Sequence, residues 1–229
     1  MKTKCERAGS LLILIGMLML TACAALLFYN TRESKQAENG ASQRLSAVKA
    51  FLGSSSVQNH SGKPDTQTVP APDGSYSLPE QPELPAVELD GEQYIGILNI
   101  PAVGLELPVM RNVTKQNLKQ APCWYSGSLQ TADLVICAHN YQSSFGKLRN
   151  LNSGDTVLFT AMDGKQYAFH IAESEVLMPD DISGMTAGNY PLSLYTCTYN
   201  GTRRFTVRCA ADHPKDFPKQ EQTTEESDS

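Results

Sequence analysis

From residue 92 to residue 210 the chain alternates short apolar or β-branched runs with turn residues. The runs are Tyr94–Ile100, Leu105–Met110, Leu134–Ala138, Thr156–Thr160, Gln166–Glu173, Ser193–Cys197 and Phe205–Cys209. Runs of this length, bounded by Gly, Pro, Asn and Asp, predict strands. Asp163-Gly164 between two of them predicts a tight hairpin. Helical character is confined to Val113–Gln120 and Ser144–Leu151, a turn or two each. Many short strands and few helices predict an all-β domain, closed or nearly closed into a β-barrel.

The pattern upstream is different. Residues 11 to 28 are apolar and carry no charge, which is about the shortest run that spans a bilayer as a helix. Lys2, Lys4 and Arg7 precede it, opposed only by Glu6, so the chain is expected to run from cytoplasm to exterior. Asn30–Ala50 suits a short helix. Phe51–Gly91 is rich in Ser, Pro, Gly and Asp, and its prolines favour an extended stalk. The expected organisation is a cytoplasmic tail (1–10), a transmembrane signal anchor (11–29), a linker or stalk (30–91), a folded domain (92–212) and an acidic disordered tail (213–229). The expected location is the cell membrane, single-pass, with the domain extracellular. Two alternatives stay open for the N-terminus. One is a cleaved signal peptide. The other is lipidation of Cys23, because Leu20-Thr21-Ala22-Cys23 has the small-residue form of a lipoprotein signal, although Ala24–Phe28 stays apolar after it.

Charge and cysteines narrow the chemistry. The net charge is -5, and no basic stripe points to nucleic acid. There are 6 cysteines but no CxxC, so neither a zinc site nor a thioredoxin-like pair is indicated. Cys137 and Cys209 lie in apolar strands and are expected to be buried thiols. Cys197 differs: it ends a strand and is followed by the turn signal Asn200-Gly201.

Three strand ends deliver complementary side chains. Ser193–Cys197 delivers a thiol, Leu134–Ala138 delivers His139, and the run Phe205–Cys209 is preceded by Arg204. A thiolate attacks a carbonyl, an imidazole moves protons, and a guanidinium holds developing negative charge. By strand alternation Arg204, Thr206 and Arg208 share a face and Arg203 points away, so Arg204 is the expected partner of Cys197. Arg208 is expected at the surface. His60 and His213 fall in the linker and tail, and His170 within a strand, where a structural role is expected. Thr196, Leu194, Ala138 and Asn140 flank the candidate catalytic residues and are the candidate substrate contacts.

Ser193-Leu194-Tyr195-Thr196-Cys197 resembles the Thr-Leu-x-Thr-Cys motif of the sortases, with Ser in place of the first Thr. His139 followed by Phe145-Gly146-Lys147-Leu148 is similar to the family's histidine with its Phe-x-x-Leu, and Tyr94–Pro101 resembles the family's first strand. The resemblance implies an eight-stranded sortase-type β-barrel and a membrane-anchored cysteine transpeptidase. On that reading Cys197 attacks the Thr–Gly-type bond of a sorting signal such as Leu-Pro-x-Thr-Gly, His139 protonates the leaving amine and Arg204 steadies the oxyanion. The implied partners are sorting-signal-bearing surface proteins or pilins as donors, and a peptidoglycan precursor or pilin amine as acceptor. No cofactor is implied; calcium, which some members bind, has only the scattered Glu106, Asp180 and Asp181 as candidates. The short segment from Glu173 to Pro191 does not suit the long helical insertion of class B. Asp73-Gly74-Ser75-Tyr76 lacks the Asp-Pro aromatic form of a pilus-type lid. An L,D-transpeptidase would instead show Ser-x-Gly-Cys-x-Arg at its nucleophile, and a non-catalytic display domain would leave Cys, His and Arg together by coincidence.

Overall fold

A computed structural model describes residues 4–55, 84–186, 189–198 and 201–217. Nine strands form one sheet: β1 (Val87–Leu89), β2 (Glu92–Ile100), β3 (Leu105–Met110), β4 (Cys123–Ser126), β5 (Leu134–Ala138), β6 (Thr156–Ala161), β7 (Gln166–Leu177), β8 (Leu192–Cys197) and β9 (Arg204–Ala211). Their order is β1-β2-β3-β4-β5-β8-β9-β7-β6, and β6 pairs back onto β2. Strands β2 to β9 thus close an eight-stranded barrel. The short β1 shares the free edge of β2 with β6, pairing Val87–Leu89 with residues 92 to 94, whereas β6 takes Gly96–Asn99.

Alternation explains the closure. Leu105, Leu107 and Val109 of β3 turn inward with Leu134, Ile136 and Ala138 of β5, Val157 and Phe159 of β6, Phe169 and Ile171 of β7, Leu192 and Leu194 of β8, and Val207 and Cys209 of β9. Successive residues of a strand face opposite sides, so one register places the whole set inside. Gly96 marks the seam. A Cβ there would stand 2.4 Å from the Thr160 carbonyl and 2.6 Å from the Phe159 ring, so the seam admits no side chain.

A second apolar cluster lies outside the barrel. Tyr94, Ile97, Met110, Cys123 and Cys137 turn outward and meet Leu45, Val48, Phe51 and Leu52 of helix α1 (Lys4–Ser55). Val48 is fully buried, and Lys49 pairs with Glu106 at 2.7 Å. The helix expected over Asn30–Ala50 therefore continues the helix before it without a break. It runs on to Ser55, so the first part of the expected linker is a helix seated on the domain wall. The apolar spacing of Leu45, Val48 and Leu52 dictates this, because these residues share one face at helical period. Among the described residues no helix is long and apolar enough to cross a membrane. The side chains described within the expected anchor run from Ile13 to Tyr29 and are exposed. Residues 56–83, which hold most of the expected stalk and His60, lie outside the described residues.

Two expectations at the chain's far end change. The sheet extends to Ala211, and the expected tail is ordered as far as Phe217, whose ring packs on Tyr167 and Phe169 at 5.6 and 5.5 Å between centroids. An apolar ring within a polar tail has core to cover, and that contact overrides the local composition. The hairpin at Asp163-Gly164 forms as predicted, with Gly164 at φ 84 and its N–H donating to the Ala161 carbonyl. The two short helical stretches appear as α2 (Lys115–Leu118), whose Thr114 hydroxyl accepts from the Asn117 N–H, and as a 3₁₀ turn over Phe145–Asn150.

Candidate active site

The parallel pairing of β5 with β8 and the antiparallel pairing of β8 with β9 bring three strand ends to one edge of the barrel. Cys197, the last residue of β8, stands directly opposite Arg204, the first residue of β9. Ala138, the last residue of β5, stands opposite Thr196. One step further in the same register, His139 falls beside Cys197. Neighbouring strands lie about 4.8 Å apart, so Cys197 is flanked by the histidine position on one side and the arginine on the other. Directly opposite residues share a face. Arg204 therefore shares the outer face of the barrel with Cys197. Arg203 lies one step beyond, where its N–H donates to the Thr198 hydroxyl at 3.2 Å, and its side chain is exposed. Cys197, His139, Asn140 and Arg204 are all half-exposed. The Arg204 guanidinium folds back over the turn, donating to the carbonyls of Gly201 at 3.2 Å and Arg203 at 3.4 Å. Tyr199 and Asn200 lie outside the described residues.

The other candidate contacts are placed differently. Leu194 and Thr196 are fully buried and Ala138 is nearly so. Leu194 and Ala138 belong to the barrel interior, and the Thr196 hydroxyl donates to the Ala138 carbonyl at 2.8 Å. These three side chains support the two strands rather than line an accessible surface. Asn140 alone of the four is partly exposed.

The loop that carries His139 is tightly built. The Gly146 N–H donates to the Tyr141 carbonyl at 3.0 Å, and a Cβ on Gly146 would stand 2.5 Å from the Asn140 carbonyl and 2.7 Å from that of Tyr141. Phe145 and Leu148 are fully buried in the barrel core. The Phe-x-x-Leu spacing thus nails the loop to the core, and the glycine between lets it fold against the residues that follow His139. The imidazole itself lies 5.2 Å from the Tyr141 ring, centroid to centroid.

Sequence reasoning did not single out two arginines. Arg149 lies in the 3₁₀ turn after His139 and donates to the Cys197 carbonyl at 3.3 Å, with its guanidinium 5.7 Å from the Phe205 ring. It ties the histidine loop to the end of β8. No local signal marks it, since an arginine after a short helical turn reads as a solvated residue. Arg208 was expected at the surface and is instead buried, only 2% exposed. Its Nε donates to Glu175 Oε1 at 2.7 Å, and its Nη1 to Ser193 Oγ at 2.8 Å and to the Met185 carbonyl at 3.1 Å. Its Nη2 donates to the Gly184 carbonyl. A charged residue inside the apolar run Phe205–Cys209 was the available sign that something covers it. The serine standing where the motif has threonine is one of its acceptors.

The remaining thiols contrast with Cys197. Cys123, Cys137 and Cys209 are free and buried. Burial pushes the Cys137 and Cys209 thiols up to about 12; a hydrogen bond from Tyr195 and the Arg204 charge only partly offset this at Cys137. Burial pushes Cys123 and the Tyr195 hydroxyl upward as well. Such thiols stay protonated and inert at neutral pH. His170 pairs with Asp212 at 2.6 Å on the flank of the sheet, away from the three strand ends. Among the described residues no group of three or more His, Cys, Asp and Glu is placed to hold a metal ion. Glu106 pairs with Lys49, and Asp181 accepts from the Gly184 N–H within its own turn.

The sortase domain family model matches residues 98–212 of this chain. A curated relative, sortase A of Bacillus anthracis, is 22% identical over 202 residues, covering 85% of this chain and 91% of its own. Among solved structures, sortase C1 from Streptococcus agalactiae is similar at 21% identity and a TM-score of 0.48, over 58% of this chain and 72% of its own. A lid mutant of sortase A from Corynebacterium diphtheriae is similar at 20% identity and a TM-score of 0.48, over 52% of this chain and 70% of its own.

Proposed function

Because the chain belongs to the sortase family, transpeptidases that anchor proteins or pilins to the cell wall, we propose that Cys197, His139 and Arg204 carry out acyl transfer from a sorting signal. The Cys197 sulfur attacks the carbonyl carbon of a Thr–Gly-type bond in a Leu-Pro-x-Thr-Gly-like segment. The C–N bond breaks, and His139 gives a proton to the departing amine. The acyl group remains on sulfur as a thioester. An amine of a peptidoglycan precursor or of a pilin then attacks the thioester, giving up a proton to His139; the C–S bond breaks and the sulfur departs as the thiolate, restoring the starting pair. Arg204 steadies the oxyanion in both tetrahedral species, a task suited to a guanidinium that keeps its charge at every working pH. The reaction needs no cofactor on this reading. The chain works at the outer face of the cell membrane, with residues 11–29 as its anchor.

The observation that carries the proposal is the register. It sets Cys197 between Arg204 on one side and the position of His139 on the other, with the half-exposed thiol at the barrel edge. The test is intact mass. The full chain in detergent is incubated with a panel of sorting-signal peptides, with and without an amine acceptor. A thioester on Cys197 that the acceptor discharges is the expected result. A panel that leaves Cys197 unmodified, while iodoacetamide still alkylates it, would overturn the donor assignment.

A further inference from the structure

Strands β7 and β8 run parallel on either side of β9, since both pair antiparallel with it. Their connection, described over 178–186 and 189–191, must therefore cross β9. It leaves β7 at Leu177, which stands opposite Arg204, and enters β8 at Leu192, which stands opposite Cys209. The crossing starts at the catalytic edge and ends at the far end of the barrel. It lies on the outer face, because Arg208 reaches out from that face to the carbonyls of Gly184 and Met185 in α3 (Ile182–Thr186). Met185 is 3% exposed, so α3 is pressed onto the wall, while Met178, which directly follows Leu177, and Ile182 are 49% and 51% exposed.

A guanidinium is the one side chain that can make this clamp. It has five N–H donors in a fixed planar fork, and here four contacts radiate from it: one carboxylate on β7, one hydroxyl on β8 and two carbonyls on the crossing segment. A lysine gathers its three donors on one nitrogen and cannot reach all four acceptors at once. Glu175, the only carboxylate among the four, is 39% exposed at its side chain. Neutralising the charge therefore does not account for the burial; holding the carbonyls does.

We propose that Arg208 is a positioning residue for the acyl-donor side of the site. It straps residues 178–186 across β9, so that Met178, next to the Leu177–Arg204 pair, and the residues up to Ile182 form a fixed wall on the Arg204 side of the site, against which the donor peptide is aligned. This rests on the transpeptidase reading above. It adds that donor alignment is set by a side chain that touches neither donor nor nucleophile.

The test is Arg208→Lys in the full chain. Three quantities are read: KM and kcat for the sorting-signal peptide found active, the rate at which iodoacetamide alkylates Cys197, and amide hydrogen exchange. KM should rise about tenfold or more, the scale of losing one charge-assisted hydrogen bond. The alkylation rate, which needs no wall, should stay within about twofold of wild type, since a thiol reaction follows thiolate character and access. Exchange should quicken over 178–186 and not in β5 or β6. A fall in kcat and alkylation together, with KM unchanged, would mean a merely structural role and overturn the proposal. If Arg208→Lys fails to fold, Ser193→Ala removes one acceptor alone and should move KM and the 178–186 exchange in the same direction by less; no change in either overturns the proposal. If the wild-type chain turns over no peptide, the transpeptidase reading is what has failed. The exchange data then decide the strap by themselves, with equal protection in wild type and variant refuting it.

Discussion

Replacing Gly146 by alanine isolates the histidine loop from the nucleophile. The added Cβ would sit 2.5 Å from the Asn140 carbonyl oxygen and 2.7 Å from that of Tyr141, both backbone atoms. To regain ordinary contact near 3.4 Å the first must retreat by about 0.9 Å and the second by about 0.7 Å. Neither can swing away as the tip of a side chain would. Phe145 and Leu148 on either side are fully buried, so the turn cannot move outward instead, and the strain falls on the residues next to His139. Overpacking of this kind costs about 1–3 kcal/mol, which for a domain of this size lowers Tm by roughly 4–12 °C. The larger effect is on geometry. A misplacement of about 1 Å at a reacting group costs on the order of 100-fold in rate. Gly146→Ala should therefore lose about two orders of magnitude in transpeptidation while Cys197 is still alkylated at close to the wild-type rate. Melting by circular dichroism, peptide turnover by mass and alkylation by iodoacetamide measure the three quantities. Wild-type turnover together with wild-type Tm would show that the loop yields without cost, and the account of how His139 is held would be wrong.

Cys197→Ala should abolish thioester formation with little loss of Tm, since the change is small and at the barrel edge; residual turnover in that variant would exclude the mechanism. Arg204→Ala should lower kcat/KM by about 100-fold or more, the scale of a lost oxyanion donor, and Arg203→Ala by far less; the reverse ranking would refute the register argument. Thr196→Val should cost about 1–2 kcal/mol by urea melting, because the Ala138 carbonyl loses a buried partner, while catalysis falls less than in any of the preceding variants. Cys137 and Cys209 predict an alkaline limit to stability. Burial lifts both thiols from 9.0 to about 12, so below pH 9 folded and unfolded chains hold the same protons. Above it the unfolded chain releases protons that the folded chain keeps. Stability should fall by about 1.4 kcal/mol per pH unit for each thiol as pH climbs toward 12. Urea melts at pH 8 and pH 10.5 compare the two regimes, and a Cys209→Ala variant should show the shallower slope.

Much of the barrel could be read from the alternation, because a sheet with one face buried must repeat every second residue. Strands β3 and β5 have the boundaries the pattern predicts, and β6, β8 and β9 extend by a residue or two. β7 runs four residues past its predicted end because Glu173-Ser174-Glu175 interrupts the apolar alternation on paper, yet the strand goes on pairing with β9 as far as Leu177. β4 escaped because Cys123–Ser126 is too short to show a period and begins straight after Pro122. β1 escaped for the same reason. The three candidate catalytic residues were visible because each sits where an apolar run stops. The supporting residues were not. Leu194 and Ala138 looked like contacts from proximity in sequence, yet inward alternation buries them. Arg208 looked solvated because the sequence does not reveal that a crossover lies on top of it, and Arg149 because its acceptor is a backbone carbonyl nearly fifty positions away.

Helix α1 is one rod from Lys4 to Ser55, and its last turns are bolted to the barrel through Val48, Lys49 and their neighbours. On the anchor proposed above, with residues 11–29 in a bilayer, the stretch from Tyr29 to Ala41, which is buried against the barrel cluster, rises about 18 Å above the lipid at 1.5 Å per residue. The domain is then a flag on a pole, not a balloon on a string. Its catalytic edge has a set altitude and heading, and changes them only by tilting the whole pole. Donor proteins still tethered in the same membrane would have to bring their signals to that altitude. The length of spacer between a donor's own membrane segment and its cleavage site thereby becomes a selection rule, independent of the motif itself.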